Sequence, residues 1–195
     1  MPDEPAQQGQ RADAQRNRER ILEAAGEVLG EQGTQASLRD VARRAGVGLG
    51  TLYRHFPTRD ALLETLLRTG FDQLAEEAGR LLDADLPSER ALADWISEFT
   101  LRSGTFRGLP ASLMATLGDP DSALHASCLA MRETAGRLLR AAQETGRIRP
   151  DVDGTDLFAL ANALSWIADQ APSIAARRDH LLTLIMDGLA NSGAR

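Results

Sequence analysis

From Arg18 to the C-terminus the chain shows no convincing stretch of the apolar–polar alternation that a half-buried strand requires. Apolar residues recur at helical spacing instead, punctuated by proline and glycine, and that pattern confines the chain to an all-α architecture. The spacing predicts helices over 58–83, 88–103, 106–118, 121–145, 154–170 and 175–191, and with three upstream segments this makes about nine helices. The interruptions "DADLPS", "GDPD", "GRIRPDVDG" and "QAPS" are as short as connections between packed helices should be. No fixed-period repeat points to a solenoid.

The three upstream segments are more informative. In "RNRERILEAAGEVLGEQG" the residues Ile21, Leu22, Ala25, Val28 and Leu29 fall on one face of a helix that should end at Gly33. In "SLRDVARRAG", Ser37 with Asp40 three residues later forms a capping-box pattern ahead of Leu38, Val41, Ala42 and Ala45, and Gly46 stands where a helix end favours positive φ. In "GLGTLYRHF", Leu52 and Phe56 are one turn apart and should face inward; Pro57 stops the helix and Thr58 can cap the next. Residues 1–16 lack an apolar period and read as a disordered arm, a solvated tail in which Arg11 and Arg16, with Arg18 and Arg20 beyond it, could reach a phosphate backbone.

Three glycines in five residues, Gly46, Gly48 and Gly50, admit two readings. A dinucleotide loop needs a preceding strand and a glycine at position 51, where this chain has a capped helix and Thr51. A Walker A loop needs lysine, and all 22 basic residues are arginine. Two short helices joined by a glycine turn instead make a helix-turn-helix, whose second helix enters a DNA major groove. Thr51, Tyr53, Arg54 and His55 crowd four hydrogen-bonding side chains onto that short helix, more than a purely structural helix needs.

Charge supports the same division. The chain carries a net charge of −6, but residues 36–60 hold five arginines against two aspartates. A local basic module on an acidic body is the pattern of confined nucleic-acid contact. The single cysteine, Cys128, allows no internal disulfide and reads as a buried, inert thiol; His55, His125 and His180 lack ligand spacing, so neither a cofactor nor a metal is expected. No apolar run is long enough to cross a membrane and the polar N-terminus has no signal-peptide centre, so the expectation is a soluble, cytoplasmic protein with no membrane partner. There is no HExxH, no GxSxG and no clustered acid–base set, which argues against an enzyme.

The stretch "RERILEAAGEVLGEQGTQASLRDVARRAGVGLGTLYRHFPTRDALLETLL", residues 18–67, resembles the DNA-binding domain of the TetR family of bacterial transcriptional regulators. The resemblance implies an N-terminal helix-turn-helix domain over 17–57 and a helical regulatory, ligand-binding and dimerisation domain over 58–195. It implies DNA contacts from Ser37, Arg39, Leu49, Gly50, Thr51, Tyr53, Arg54, His55 and Arg59, with Ser37, Tyr53, His55 and Arg59 on phosphates and Arg39, Leu49, Gly50, Thr51 and Arg54 in the groove. Gly48 departs from the family, which often places a capping Ser or Thr there.

A palindromic operator read by one helix per subunit requires a homodimer. Leu157, Leu160, Ala161 and Leu164 of one late helix and Leu181, Leu182, Ile185 and Leu189 of the next supply the candidate dimer interface. By resemblance a small-molecule effector, unidentified and largely apolar, binds in the helical body, with Trp95, Phe99, Met114, Cys128, Met131 and Trp166 as candidate lining. The expected function is a repressor released from its operator by that molecule. An activator or ligand-dependent regulator of the same fold, and a scaffold that has lost DNA binding, are the alternatives.

Overall fold

The computed structural model describes residues 4–103, 109–170 and 172–191, with backbone alone for 4–11, 168–170 and 172. Among them are ten helices: α1 (Glu4–Gln32), α2 (Leu38–Arg44), α3 (Leu49–His55), α4 (Arg59–Asp83), α5 (Ser88–Ser103), α6 (Ala111–Gly118), α7 (Ala123–Glu144), α8 (Gly154–Gln170), α9 (Pro172–Ala175) and α10 (Arg178–Leu189). The described residues form no strand; Ile148 and Ala190 make an isolated antiparallel bridge.

Three boundaries differ from the sequence expectation. α1 begins at Glu4, so residues 4–16, expected as an arm without structure, continue the first helix. Their Ala, Gln, Glu and Arg content favours helix even without an apolar face. The helix expected over 175–191 starts later, as α10 at Arg178, behind a non-helical Arg177 and a separate short α9 with Pro172 at its first position. Residues 106–108 of the expected 106–118 helix lie outside the described residues, and α6 begins at Ala111.

The chain divides into two compact units, Met1–Leu67 with Thr105–Ala115, and Arg68–Gly104 with Thr116–Arg195. In the first, α1 packs on α2 and α3, and α2 packs on α3. Ile21, Ala25, Val28, Leu29, Val41, Ala42, Leu52 and Phe56 are all buried, as their spacing predicts. This unit extends past Pro57 because Leu62, Leu63, Leu66 and Leu67 of α4 are buried too. Gly33 ends α1 at φ 77° and Gly46 ends the α2 turn at φ 65°, backbone conformations that disfavour any residue with a Cβ.

In the second unit, α5 packs against α7, α8 and α10. Trp95 lies at its centre, its indole N–H donating to the Leu74 carbonyl at 3.0 Å. Phe99 contacts Trp95 at 5.5 Å and the edge of Phe158 at 5.4 Å between ring centres.

The six residues expected to line a ligand site stand in two environments. Trp95, Phe99, Cys128 and Met131 are brought together as packed core. Trp166 is 64% exposed on α8, and Met114 is 53% exposed on α6.

The residues expected at the dimer face divide into buried and outward ones. Leu157, Ala161, Leu164 and Leu189 are buried within their own chain, where they fill the contacts of α8 and α10 with α5. Leu160 is exposed, and Leu181, Leu182 and Ile185 are half-buried. The outward apolar side is formed instead by Leu160, Ala163, Trp166 and Ile167 of α8 and Leu184 of α10. A groove of about 460 Å³ between Ala159, Leu160, Leu184, Ile185 and Gly188 runs along it.

Candidate nucleic-acid interface

α2 starts because Ser37, in extended conformation, turns its hydroxyl back to accept from the Arg39 amide at 3.2 Å. The capping box is not closed as the sequence suggests: the Asp40 carboxylate accepts from Arg43 at 2.8 Å instead. Arg39 projects into solvent from the first turn.

α3 is built with little local support. Gly48 is its N-cap and supplies no side-chain hydrogen bond, and Gly50 occupies the second helical position. Its seven residues are held by Leu52 and, just past its end, Phe56, both buried, so the helix is anchored along one side. At about 100° per residue, Arg54 points directly away from the midpoint of those two anchors, flanked by Gly50 and Thr51. Tyr53 and Arg54 are exposed, and Leu49, Thr51 and His55 are half-buried.

A shallow polar cleft of about 490 Å³ is lined by Ser37, Leu38, Arg39, Leu49, Tyr53 and Arg59. It gathers five of the nine residues expected at DNA, from the start of α2, from α3 and from the start of α4. Gly50, Thr51, Arg54 and His55 occupy the remaining circumference of α3. Arg59 is also engaged within the fold. Its Nη1 donates to the Thr34 carbonyl at 2.9 Å and the Ala36 carbonyl at 2.7 Å, tying down the segment that leads into Ser37. Thr58 caps α4 through the Ala61 amide at 3.0 Å, as expected.

Gly50, the glycine inside α3, is not demanded by the chain itself. A Cβ built on Gly48 or Gly50 meets no atom within 4 Å, and neither residue has positive φ. Alanine in a helix is more stable than glycine. The space kept clear at Gly50 is therefore on the outer surface, beside Arg54.

Arg20, placed by the sequence among the arginines that could reach a phosphate, is instead engaged within the fold. Its Nε and Nη2 donate to the Ala45 carbonyl at 3.0 and 2.5 Å, and Nη2 donates also to the Gly46 carbonyl at 3.0 Å. Arg18 lies over the Phe56 ring at 5.4 Å. Arg44 reaches back to Glu31 and Glu27 on α1. No periodicity signals such contacts, because the partners are backbone carbonyls or side chains far away in sequence.

Among the described residues no cluster of His, Cys, Asp and Glu is arranged to hold a metal ion, and no helix is long and apolar enough to cross a membrane. Burial pushes the Cys128 thiol above its ordinary pKa, with Arg132 opposing in part.

A helix-turn-helix unit with a cleared, polar outer face, joined to a second helical unit, defines a class: a DNA-binding transcriptional regulator. Residues 21–66 match the family model for bacterial regulatory proteins of the tetR family, and residues 87–191 match that for the C-terminal domain of SbtR-like transcriptional regulators. The chain belongs to the TetR family of transcriptional regulators. It is 35% identical to a TetR transcriptional regulator from Streptomyces coelicolor, whose structure superposes with a TM-score of 0.68 over 90% of this chain and 99% of that one. It is 28% identical to the TetR-like regulator LfrR of Mycobacterium smegmatis, solved in complex with proflavine, with a TM-score of 0.68 over 93% and 97% of the two chains. The transcriptional repressor KstR2 of Rhodococcus jostii is 23% identical over 89% of this chain and 91% of its own length. The matched families and relatives are transcriptional regulators, not enzymes.

Proposed function

We propose that the chain acts in the cytoplasm as a homodimeric repressor that places one α3 per subunit in successive major grooves of a palindromic operator and leaves it when a small, largely apolar molecule binds. The observation that carries the DNA-reading part is the outer face of α3. Glycine stands at position 50, where the fold tolerates a side chain, next to the outward-pointing Arg54. Close approach of a partner explains that choice, and Arg54 beside Thr51 supplies donors for base edges. Ser37, Tyr53 and His55 border this face and serve as phosphate contacts, with Arg39 and Leu49 at the groove.

The outward apolar side of α8 and α10, centred on Leu160, Ile167 and Leu184, is the dimer face in this reading, replacing the buried half of the expected stripe. Effector binding is assigned to the second unit, at the aromatic cluster of Trp95, Phe99 and Phe158 with Cys128 and Met131, which a flat apolar ligand would open. The proflavine complex of LfrR and the repressor role of KstR2 support binding of a small molecule and repression respectively.

Linkage tests the switch. An effector that weakens operator binding must itself bind more weakly, by the same factor, when operator is present. Titration of a releasing compound with and without saturating operator should show that shift, and equal affinities in the two titrations contradict the proposal.

A further inference from the structure

We infer that Arg20 is a positioning residue for the recognition helix: it holds the turn between α2 and α3 from outside and thereby sets where α3 lies, without touching DNA itself. The inference rests on the DNA-reading role proposed for α3.

Two independent observations meet here. The first is that α3 cannot hold its own start. It has seven residues, a glycine N-cap with no side-chain bond, and a second glycine one residue into the helix. Helices this short are marginal without outside support. The second is that the carbonyls closing α2 point at a guanidinium. Ala45 is the C-cap of α2 and Gly46 the positive-φ residue after it, so their carbonyls lie past the last intrahelical donor. Arg20 supplies three hydrogen bonds to those two oxygens and brings a positive charge to the negative end of the α2 dipole. A Cβ on Gly46 would stand 3.1 Å from Arg20 Nη2, so arginine and turn are packed against each other. Three residues beyond Gly46, at Leu49, the chain enters α3.

A guanidinium spent on carbonyls predicts a different binding signature from one spent on phosphate. A phosphate contact releases a counterion and appears in the salt dependence; a clasp does not. A fork of Nε and Nη2 on one oxygen is also beyond the reach of an ammonium.

The test compares wild type, Arg20→Gln and Arg20→Lys on a selected operator over a range of salt concentrations, together with amide hydrogen exchange of residues 47–52 in the DNA-free proteins. Arg20→Gln should weaken binding by about tenfold, the scale of lost hydrogen bonds to a charged group, with the slope of log affinity against log salt unchanged. Exchange should quicken at 47–52 ahead of the α1 core amides, and Arg20→Lys should recover only part of either effect. A slope reduced by about one unit in Arg20→Gln and restored by Arg20→Lys would make Arg20 a phosphate contact and overturn the inference. Unchanged exchange at 47–52, or exchange raised uniformly through the first unit, overturns it as well. Because the exchange measurement contains no DNA, it judges Arg20 even if wild type selects no operator, an outcome that would count against the proposed function alone.

Discussion

Arg44 and Glu31 meet fork to fork, with Nη1 donating to Oε1 at 2.9 Å and Nη2 to Oε2 at 3.0 Å, while Nη1 also reaches Glu27 Oε2 at 3.2 Å. This joins the end of α2 to the C-terminal end of α1. The hydrogen bonds and charge of Arg44 hold the Glu31 carboxyl below its ordinary value of 4.5. A carboxyl with a lowered folded pKa contributes stability that is complete above the unfolded value and lost as pH falls through the folded one. The melting temperature of Glu31→Gln should therefore lie below wild type at neutral pH, and the gap should close as pH is lowered beneath about 4.5. A gap that persists unchanged in acid would show that the pair is not what Glu31 contributes.

Gly50→Ala separates folding from binding. The free protein should gain up to about 1 kcal/mol in urea denaturation, since alanine replaces glycine in a helix with open space around it. Operator affinity should fall despite the gain. Equal or tighter binding by the more stable variant would remove the argument that the clearance serves a partner.

The dimer face can be tested by exploiting its division into outward and inward halves. Leu184 is 52% exposed, so Leu184→Arg should leave the monomer folded, shift sedimentation from dimer to monomer and weaken operator binding. Ala161 is fully buried, so Ala161→Arg should lose the fold, destabilised by several kcal/mol through an unpaired buried charge. A Leu184→Arg protein that remains dimeric would move the interface elsewhere.

Much of the first unit was legible in the sequence because its helices are two-faced. Leu52 and Phe56 stand one turn apart among polar residues, so their burial followed from spacing, as did the ends at Gly33 and Gly46 and the caps at Ser37 and Thr58. α8 offered no such phase. Leu157, Ala161 and Leu164 alternate with Leu160, Ala163 and Ile167, and a helix apolar around most of its circumference does not say which side faces its own core. The arm was misread because helix formation there follows from residue propensity, which leaves no periodic trace. The roles of Arg20 and Arg59 were hidden for a third reason: a long side chain on a carbonyl some 25 residues away leaves no mark in local pattern. Nothing local distinguishes Met131 in the core from Met114 at the surface either.

Cys128 should behave as a buried group. Its thiol is shielded and its pKa raised by burial, so reaction with a disulfide reagent should be much slower in the native protein than in denaturant. If an effector opens the neighbouring aromatic cluster, the rate should change on adding it. Native and denatured rates that coincide would show that the core around Trp95 and Met131 is not closed.

The central claim is that α3 reads DNA, once per subunit, through the face centred on Arg54. Selection from random-sequence DNA by wild type and by Arg54→Ala tests it most directly. The wild type should enrich an inverted repeat whose half-sites lie one helical turn, or a multiple of it, apart. Arg54→Ala should keep that spacing while losing preference at one base pair in each half-site, worth about 1–3 kcal/mol. Recovery of no inverted repeat by the wild type, or of an identical motif by both proteins, would contradict the account.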